Sequence, residues 1–186
     1  MMQELSLNVL DVAENSVRAN ATLIHILVEE DTAADRLTIV IRDNGKGMTQ
    51  EQVQTVIDPF YTTRTTRKVG LGVPFFRMAA QLSGGDLTIQ SAVGEGTTVT
   101  AVFGLSSIDR MPLGDMNGTI STLVQCNPQI DWVYTRRLDG RELVMDTRQF
   151  RKILGEVPLD SPEVLQFLGE YLRENTAELL AEKSDS

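Results

Sequence analysis

Asp11, Asn15 and Arg18 stand at spacings of four and three residues, so on a helix they place a carboxylate, an amide and a guanidinium on one face. Such a set can polarise a water or hydroxyl, offer one oxygen to a magnesium ion and meet a phosphate. Magnesium takes oxygen ligands and keeps most of its waters, so one protein oxygen with phosphate oxygens makes a workable shell. A solvated helix face is the plainer reading of the same three residues.

Two glycine clusters add to them. Asp43-Asn44-Gly45-Lys46-Gly47 follows a strand-like run. An aspartate at a strand end can accept a hydrogen bond from an exocyclic amine, and the glycines let backbone pass close to a ligand. Asn-Gly alone would read as a hairpin turn, but the residues beyond it are helical in pattern. Gly70-Leu71-Gly72 stands just before a helix, a phosphate-cradle arrangement in which exposed amides and the helix dipole favour an anion. No Gly-Lys-Ser/Thr follows, which excludes a P-loop, and the third glycine of a dinucleotide fingerprint is absent. Upstream, Arg64, Arg67 and Lys68 lie in a Thr-rich loop, either to close over phosphates or as an ordinary solvated basic loop. His25, the only histidine, sits in an apolar run and reads as a packed residue without chemistry.

The elements that must position these groups follow from periodicity. From Gln3 to about Ala19 the pattern is helical: Leu5, Val9, Val12 and Ser16 share one face, and Glu4, Asn8, Asp11, Asn15 and Arg18 form the opposite stripe. Thr22 to Glu29 and Leu37 to Arg42 are rich in β-branched residues and read as two strands. Thr49-Gln50-Glu51-Gln52 is a capping-box pattern opening a short helix. Another helix opens at Gly70 to Gly72, with Pro74 in its first turn and Gly84-Gly85 at its end. Leu87 to Gln90 and Thr97 to Phe103 form a hairpin around Gly94-Glu95-Gly96. This stretch is therefore α/β, with helices covering one face of a sheet.

Beyond Leu105 comes a Gly/Pro/Asp-rich linker, then a helix through Ile120 to Val124 and two strands joined at Asp139-Gly140. Two helices finish the chain, the last capped by Ser161 with Pro162 at its first position. Residues 1–104 are thus expected as one domain and residues 105–186 as a C-terminal extension. The extension is either a docking or dimer surface or extra core.

The chain has 186 residues, with 26 acidic against 17 basic residues and a formal charge of −9. That balance argues against a nucleic-acid surface or an anionic membrane patch and for a protein partner. The single cysteine, Cys126, implies a reducing, cytoplasmic setting. No apolar stretch approaches the ~20 residues of a membrane helix.

Taken in order, five blocks carry a resemblance. They are Asp11-Val12-Ala13-Glu14-Asn15-Ser16 with Ala19-Asn20-Ala21-Thr22, Asp43 to Met48, Asp58-Pro59-Phe60-Tyr61-Thr62-Thr63-Arg64, Gly70-Leu71-Gly72-Val73, and Gly94-Glu95-Gly96-Thr97. Together they resemble the GHKL ATPases, the superfamily of gyrase, heat-shock chaperone, histidine kinase and mismatch-repair members. The resemblance implies a two-layer α/β sandwich with a mixed, mostly antiparallel sheet and ATP between the helices and a lid. It implies that Asn15 coordinates magnesium, that Asp43 accepts from the adenine amine, and that Thr97 supports Asp43 or the base. Gly45 and Gly47 then flank the adenine, Asp58 to Arg64 begins the lid, and Gly70, Leu71 and Gly72 meet the phosphates with Arg64 and Lys68. Arg18 stands where many histidine kinases carry a phosphate-contacting lysine. Asp11 stands where hydrolysing members and serine-phosphorylating anti-sigma kinases place a glutamate as general base.

The departures are specific. Val73 replaces the last leucine of the usual Gly-Leu-Gly-Leu block, and the lid is short. The chain carries no helical hairpin with a phosphoacceptor histidine ahead of the nucleotide-binding helix, so phosphorylation of a histidine in these 186 residues is not expected. The expected function is a stand-alone kinase or ATPase that moves the γ-phosphate of magnesium ATP to a partner protein or to water. The partner would be a response regulator, a sigma-factor-like regulator or an enzyme complex, and a homodimer is a further expectation. The alternative is an ATP-dependent switch that grips and releases a partner without turnover.

Overall fold

The computed structural model describes residues 3–58 and 72–181. Within them the chain runs α1 (Leu5–Arg18), β1 (Leu23–Asp31), β2 (Arg36–Asp43), α2 (Gln50–Ile57), α3 (Gly72–Leu82), β3 (Asp86–Ala92) and β4 (Gly96–Gly104). It continues through α4 (Met116–Cys126), β5 (Asp131–Leu138), β6 (Arg141–Asp146), α5 (Thr147–Leu154) and α6 (Pro162–Ala181). The strands make one six-stranded sheet in the order β3-β4-β2-β1-β5-β6. All neighbours pair antiparallel except β1 and β5, which are parallel.

Alternation along the strands builds the two layers. Ile24, Ile26 and Val28 of β1, Leu37, Ile39 and Ile41 of β2, and Val99, Ala101 and Phe103 of β4 are buried. They share a single core with Leu5, Val9 and Val12 of α1 and Val73, Phe76 and Ala80 of α3. The alternate residues, His25 and Leu27, Thr38 and Val40, Thr98 and Thr100, are only partly buried. Helix α2 is fixed locally by the capping box: Thr49 Oγ1 accepts from Gln52 N, and Gln52 Oε1 accepts from Thr49 N.

The C-terminal region is built into the same body. Strand β5 pairs with β1 from Leu23↔Asp131 to Glu30↔Leu138, and Ile120, Leu123, Trp132, Tyr134 and Leu168 belong to the core that α1 and β1 line. The tight turn Asp139-Gly140, both at positive φ, is tied back to the first hairpin, because Asp139 Oδ1 and Oδ2 accept from Thr32 N and Oγ1. The linker serves α1 directly. Glu4 gives α1 no side-chain cap, and instead Leu5 N and Ser6 N donate to Pro112 O and Leu113 O, each at 2.9 Å. These contacts satisfy two of the donors that a helix start leaves orphaned.

Two local expectations fail. Asn8, assigned by periodicity to the polar stripe of α1, is buried at 1 % exposure, because α3 and α4 both pack against α1. Ser161 precedes α6 as expected, but its hydroxyl has no hydrogen-bond partner, and only its carbonyl engages the helix, accepting from Leu165 N.

Trp132 is the only tryptophan and lies on β5 at 1 % exposure. Its fluorescence therefore reports the C-terminal strands, and its unfolding midpoint in urea is expected to coincide with that from far-UV circular dichroism. Two separated transitions would show that the C-terminal strands unfold on their own. Leu5→Ala, at the junction of α1, α4 and the linker, is expected to cost about 2–5 kcal/mol by the same measurement.

Candidate functional site

The end of α1, the end of β2 and the loop after it enclose a cavity of about 330 Å³. Its walls are mostly apolar, from Val12, Met48, Val56, Val73, Ile89 and Val99, with Asn15, Ser16, Arg18, Asp43, Lys46 and Thr97 as the polar groups. A pocket with apolar walls and few directed polar groups suits a planar base with a polar edge.

Asp43 is the last residue of β2 and is 8 % exposed. Its carboxylate is held from two sides: Ser16 Oγ donates to Oδ2 at 2.6 Å and Gly45 N donates to Oδ1 at 2.8 Å. A carboxylate has about four acceptor positions, so lone pairs remain for a ligand donor. Thr97 lies opposite Asp43 in the β2–β4 ladder, yet its hydroxyl is 2.8 Å from Ser91 Oγ. The hydroxyl that supports Asp43 is that of Ser16.

The loop that carries Asp43 is closed by backbone. Asn44 Oδ1 accepts from Thr22 N and Leu23 N, Lys46 N donates to Ala19 O, and Gly94 N donates to Lys46 O. The blocks 19–22, 43–48 and 94–97 are thus one knot at the end of the sheet. Gly47 has φ +71°, and a Cβ there would stand 1.9 Å from Ala92 O. A side chain at this position would push the loop off the β3–β4 hairpin.

On α1, Asp11, Asn15 and Arg18 share a face as their spacing requires, and Arg18 Nη2 donates to Asn15 Oδ1. Burial pushes the Asp11 carboxyl up from the usual carboxylate range, and the Arg18 charge works against that shift. Gly72 opens α3 beside this face: a Cβ on it would lie 3.0 Å from Asp11 Cβ. The structure therefore brings together Asp11, Asn15, Arg18, Asp43, Gly45, Gly47, Gly72 and Thr97. Arg64, Lys68, Gly70 and Leu71 lie outside the described residues. His25 sits on β1, half-buried on the sheet face away from the helices, where burial first and the Arg148 and Arg42 charges next lower its pKa.

Sequence reasoning missed Ser16 and Lys46. Ser16 fell on the apolar stripe of α1, and a hydroxyl on an apolar face is itself the signal, because a buried polar group needs a partner. Lys46 lies between the two glycines and was read only as part of the motif, although it lines the cavity.

Magnesium fits this donor set in one way. Among the described residues no group of three or more His, Cys, Asp or Glu could hold a metal ion. Asn15 Oδ1 offers a single oxygen beside the Asp11 carboxylate, so the ion would arrive with phosphate oxygens and water.

Fold and cavity together define a nucleotide-binding α/β sandwich. Residues 1–107 match the family described as histidine kinase-, DNA gyrase B- and HSP90-like ATPases, and this chain belongs to that family. A putative sensor protein of Shewanella frigidimarina is 30 % identical over 109 residues, which cover 58 % of this chain and 17 % of that protein. Sporulation kinase C of Bacillus subtilis is 28 % identical over 98 residues, 53 % of this chain and 23 % of the kinase. The sensor histidine kinase ZraS of Salmonella typhi is 29 % identical over 87 residues, 46 % and 18 % of the respective lengths. Each match takes in less than a quarter of the relative. Among solved structures, the N-terminal domain of a DNA repair protein aligns with a TM-score of 0.56 at 15 % identity, covering 78 % of this chain and 53 % of that one. That likeness concerns the fold. No helix among the described residues is long and apolar enough to cross a membrane.

Two outcomes follow from the site's electrostatics. Ser16→Ala removes a buried hydrogen bond to a charged group and is expected to lower stability by about 1–3 kcal/mol in urea unfolding. Because burial raises the Asp11 carboxyl in the folded state, the folded chain binds the proton more tightly than the unfolded one. The stabilising contribution of that proton is present below the unfolded value of 3.8 and is lost as pH rises through the folded one. Asp11→Asn is therefore expected to raise the melting temperature at pH 7 and to leave it little changed near pH 3.

Proposed function

We propose that the chain binds magnesium ATP in this cavity and transfers the γ-phosphate to a side chain of a partner protein or to water. The observation that supports it most is Asp43: a nearly buried carboxylate with acceptor capacity left over, at the base of an apolar cavity. The exocyclic amine of adenine would donate to it. Asn15 would then face the phosphate end, and Asp11, the carboxylate of that face, would take the proton of the acceptor hydroxyl or water. The new bond forms to the γ-phosphorus as its bond to the bridging oxygen breaks and ADP leaves. Burial favours Asp11 as a base, since raising its affinity for a proton brings it nearer the working pH.

In this reading Arg18, Arg64 and Lys68 neutralise charge on the phosphates, and Gly70, Leu71 and Gly72 cradle them. Residues 1–104 are the ATPase domain, and residues 105–186 couple it to the partner or to a second copy. The partner is a protein of the response-regulator, sigma-factor-regulator or enzyme-complex kind. Two facts support a protein: the kinase relatives and the charge of −9, which also disfavours nucleic acid and anionic membrane. Cys126 is exposed and in no disulfide, which supports a reducing, cytoplasmic setting.

Calorimetry and phosphate release test this on one sample. Asp43→Ala is expected to weaken ATP binding about 10- to 100-fold, the value of a hydrogen bond to a charged group. Asp11→Asn is expected to keep ATP affinity within about threefold while losing most phosphate release or transfer. Unchanged affinity in the first variant would remove the cavity assignment. A partner effect that survives Asp11→Asn would favour the switch without turnover.

A further inference from the structure

The α1 oxygen assigned above to a metal, Asn15 Oδ1, is already engaged by a cation of the chain itself. Arg18 lies three residues beyond Asn15 on α1, and its Nη2 donates to Asn15 Oδ1. The guanidinium is permanently charged and can only donate. A divalent ion bonded to Oδ1 would stand within a few ångströms of that like charge. The two cations are therefore alternatives at Asn15. Arg18 is exposed and lines the cavity, and its charge acts on Asp11, opposing the effect of burial there. The hydrogen bond to Asn15 Oδ1 holds its head group against that face of α1. Lys46 adds a second positive charge to the same cavity.

Resting on the ATP reading above, we propose that Arg18 is a built-in counter-cation. It holds Asn15 until nucleotide arrives and then neutralises the phosphates, so that binding depends only weakly on magnesium. Magnesium enters by displacing Arg18 from Asn15 Oδ1, and the released guanidinium donates to phosphate oxygens. Arg18 is here a specificity-determining residue, one that sets the metal requirement of the site.

Titration with a non-hydrolysable ATP analogue, in EDTA and in saturating magnesium, tests this on wild type, Arg18→Ala and Arg18→Lys. Binding of Mn²⁺ to the protein–nucleotide complex, followed by electron paramagnetic resonance, supplies a readout independent of turnover. Wild type is expected to lose less than about fivefold affinity in EDTA, and Arg18→Ala at least about twentyfold. In Arg18→Ala the complex should bind Mn²⁺ about tenfold more tightly, because the competing charge is gone. Arg18→Lys keeps the charge without the planar fork and should fall between the two. The substituted side chain is exposed, and circular dichroism confirms folding of each variant before titration.

The inference is overturned if wild type loses more than about fiftyfold in EDTA, or if Arg18→Ala shows the wild-type ratio and unchanged Mn²⁺ affinity. Binding that strictly requires metal removes this inference and leaves the ATP reading standing. No nucleotide binding in either condition removes both.

Discussion

Ser16 Oγ and Asp43 Oδ2 are 2.6 Å apart and buried, and this contact joins the helix that carries Asp11, Asn15 and Arg18 to the strand that ends in Asp43. A charged group out of water is tolerated only where its lone pairs are engaged. Ser16 and Gly45 N engage some of them, and they also fix the direction of those that remain. The same bond ties Asp43 to the turn of α1 that carries Asn15, since Ser16 is the residue next to Asn15. In the proposed reading, recognition of a base and placement of a phosphate would be coupled through one turn of helix.

That helix is in turn held by residues far away in sequence. Its first amides are satisfied by Pro112 and Leu113, Thr119 Oγ1 donates to Ser6 O, and Leu5 and Val9 share a core with Ile120, Leu123 and Trp132. The parallel pairing of β5 with β1 ties the C-terminal hairpin to the strand that follows α1. A force applied to the C-terminal region by a partner therefore reaches α1 through packed side chains and backbone hydrogen bonds, the kind of contiguous contact that carries coupling.

Most of the local architecture was legible because local chemistry and global fold agree at those elements. The period of α1, the capping box of α2, the β-branched runs of β1 and β2 and the Asp139-Gly140 turn each name their element without tertiary help. What escaped was long-range. Nothing local to Asp131–Leu138 says that it pairs in parallel with β1 instead of forming only a separate hairpin. Asn8 obeys the helical period yet is buried, because α1 is flanked by α3 and α4, both distant in sequence. The site shows the same division: Asp11, Asn15, Asp43 and Gly72 came from motif and spacing, whereas Ser16 as the partner of Asp43 required the register of α1 against β2. Gly47 was read as a ligand contact, and the structure adds a second demand on it, the close passage of the Ala92 carbonyl.

The central claim is that Asp43 reads the amino edge of adenine. Calorimetric titration of the wild-type chain with ATP and with purine riboside triphosphate tests it most directly, since the two differ at the base only in the loss of the 6-amino donor. Without that donor the nearly buried Asp43 carboxylate is left without its partner on the base. ATP is expected to bind about 10- to 100-fold more tightly. Equal affinity for the two nucleotides would contradict the account, because Asp43 would then be reading nothing on the base.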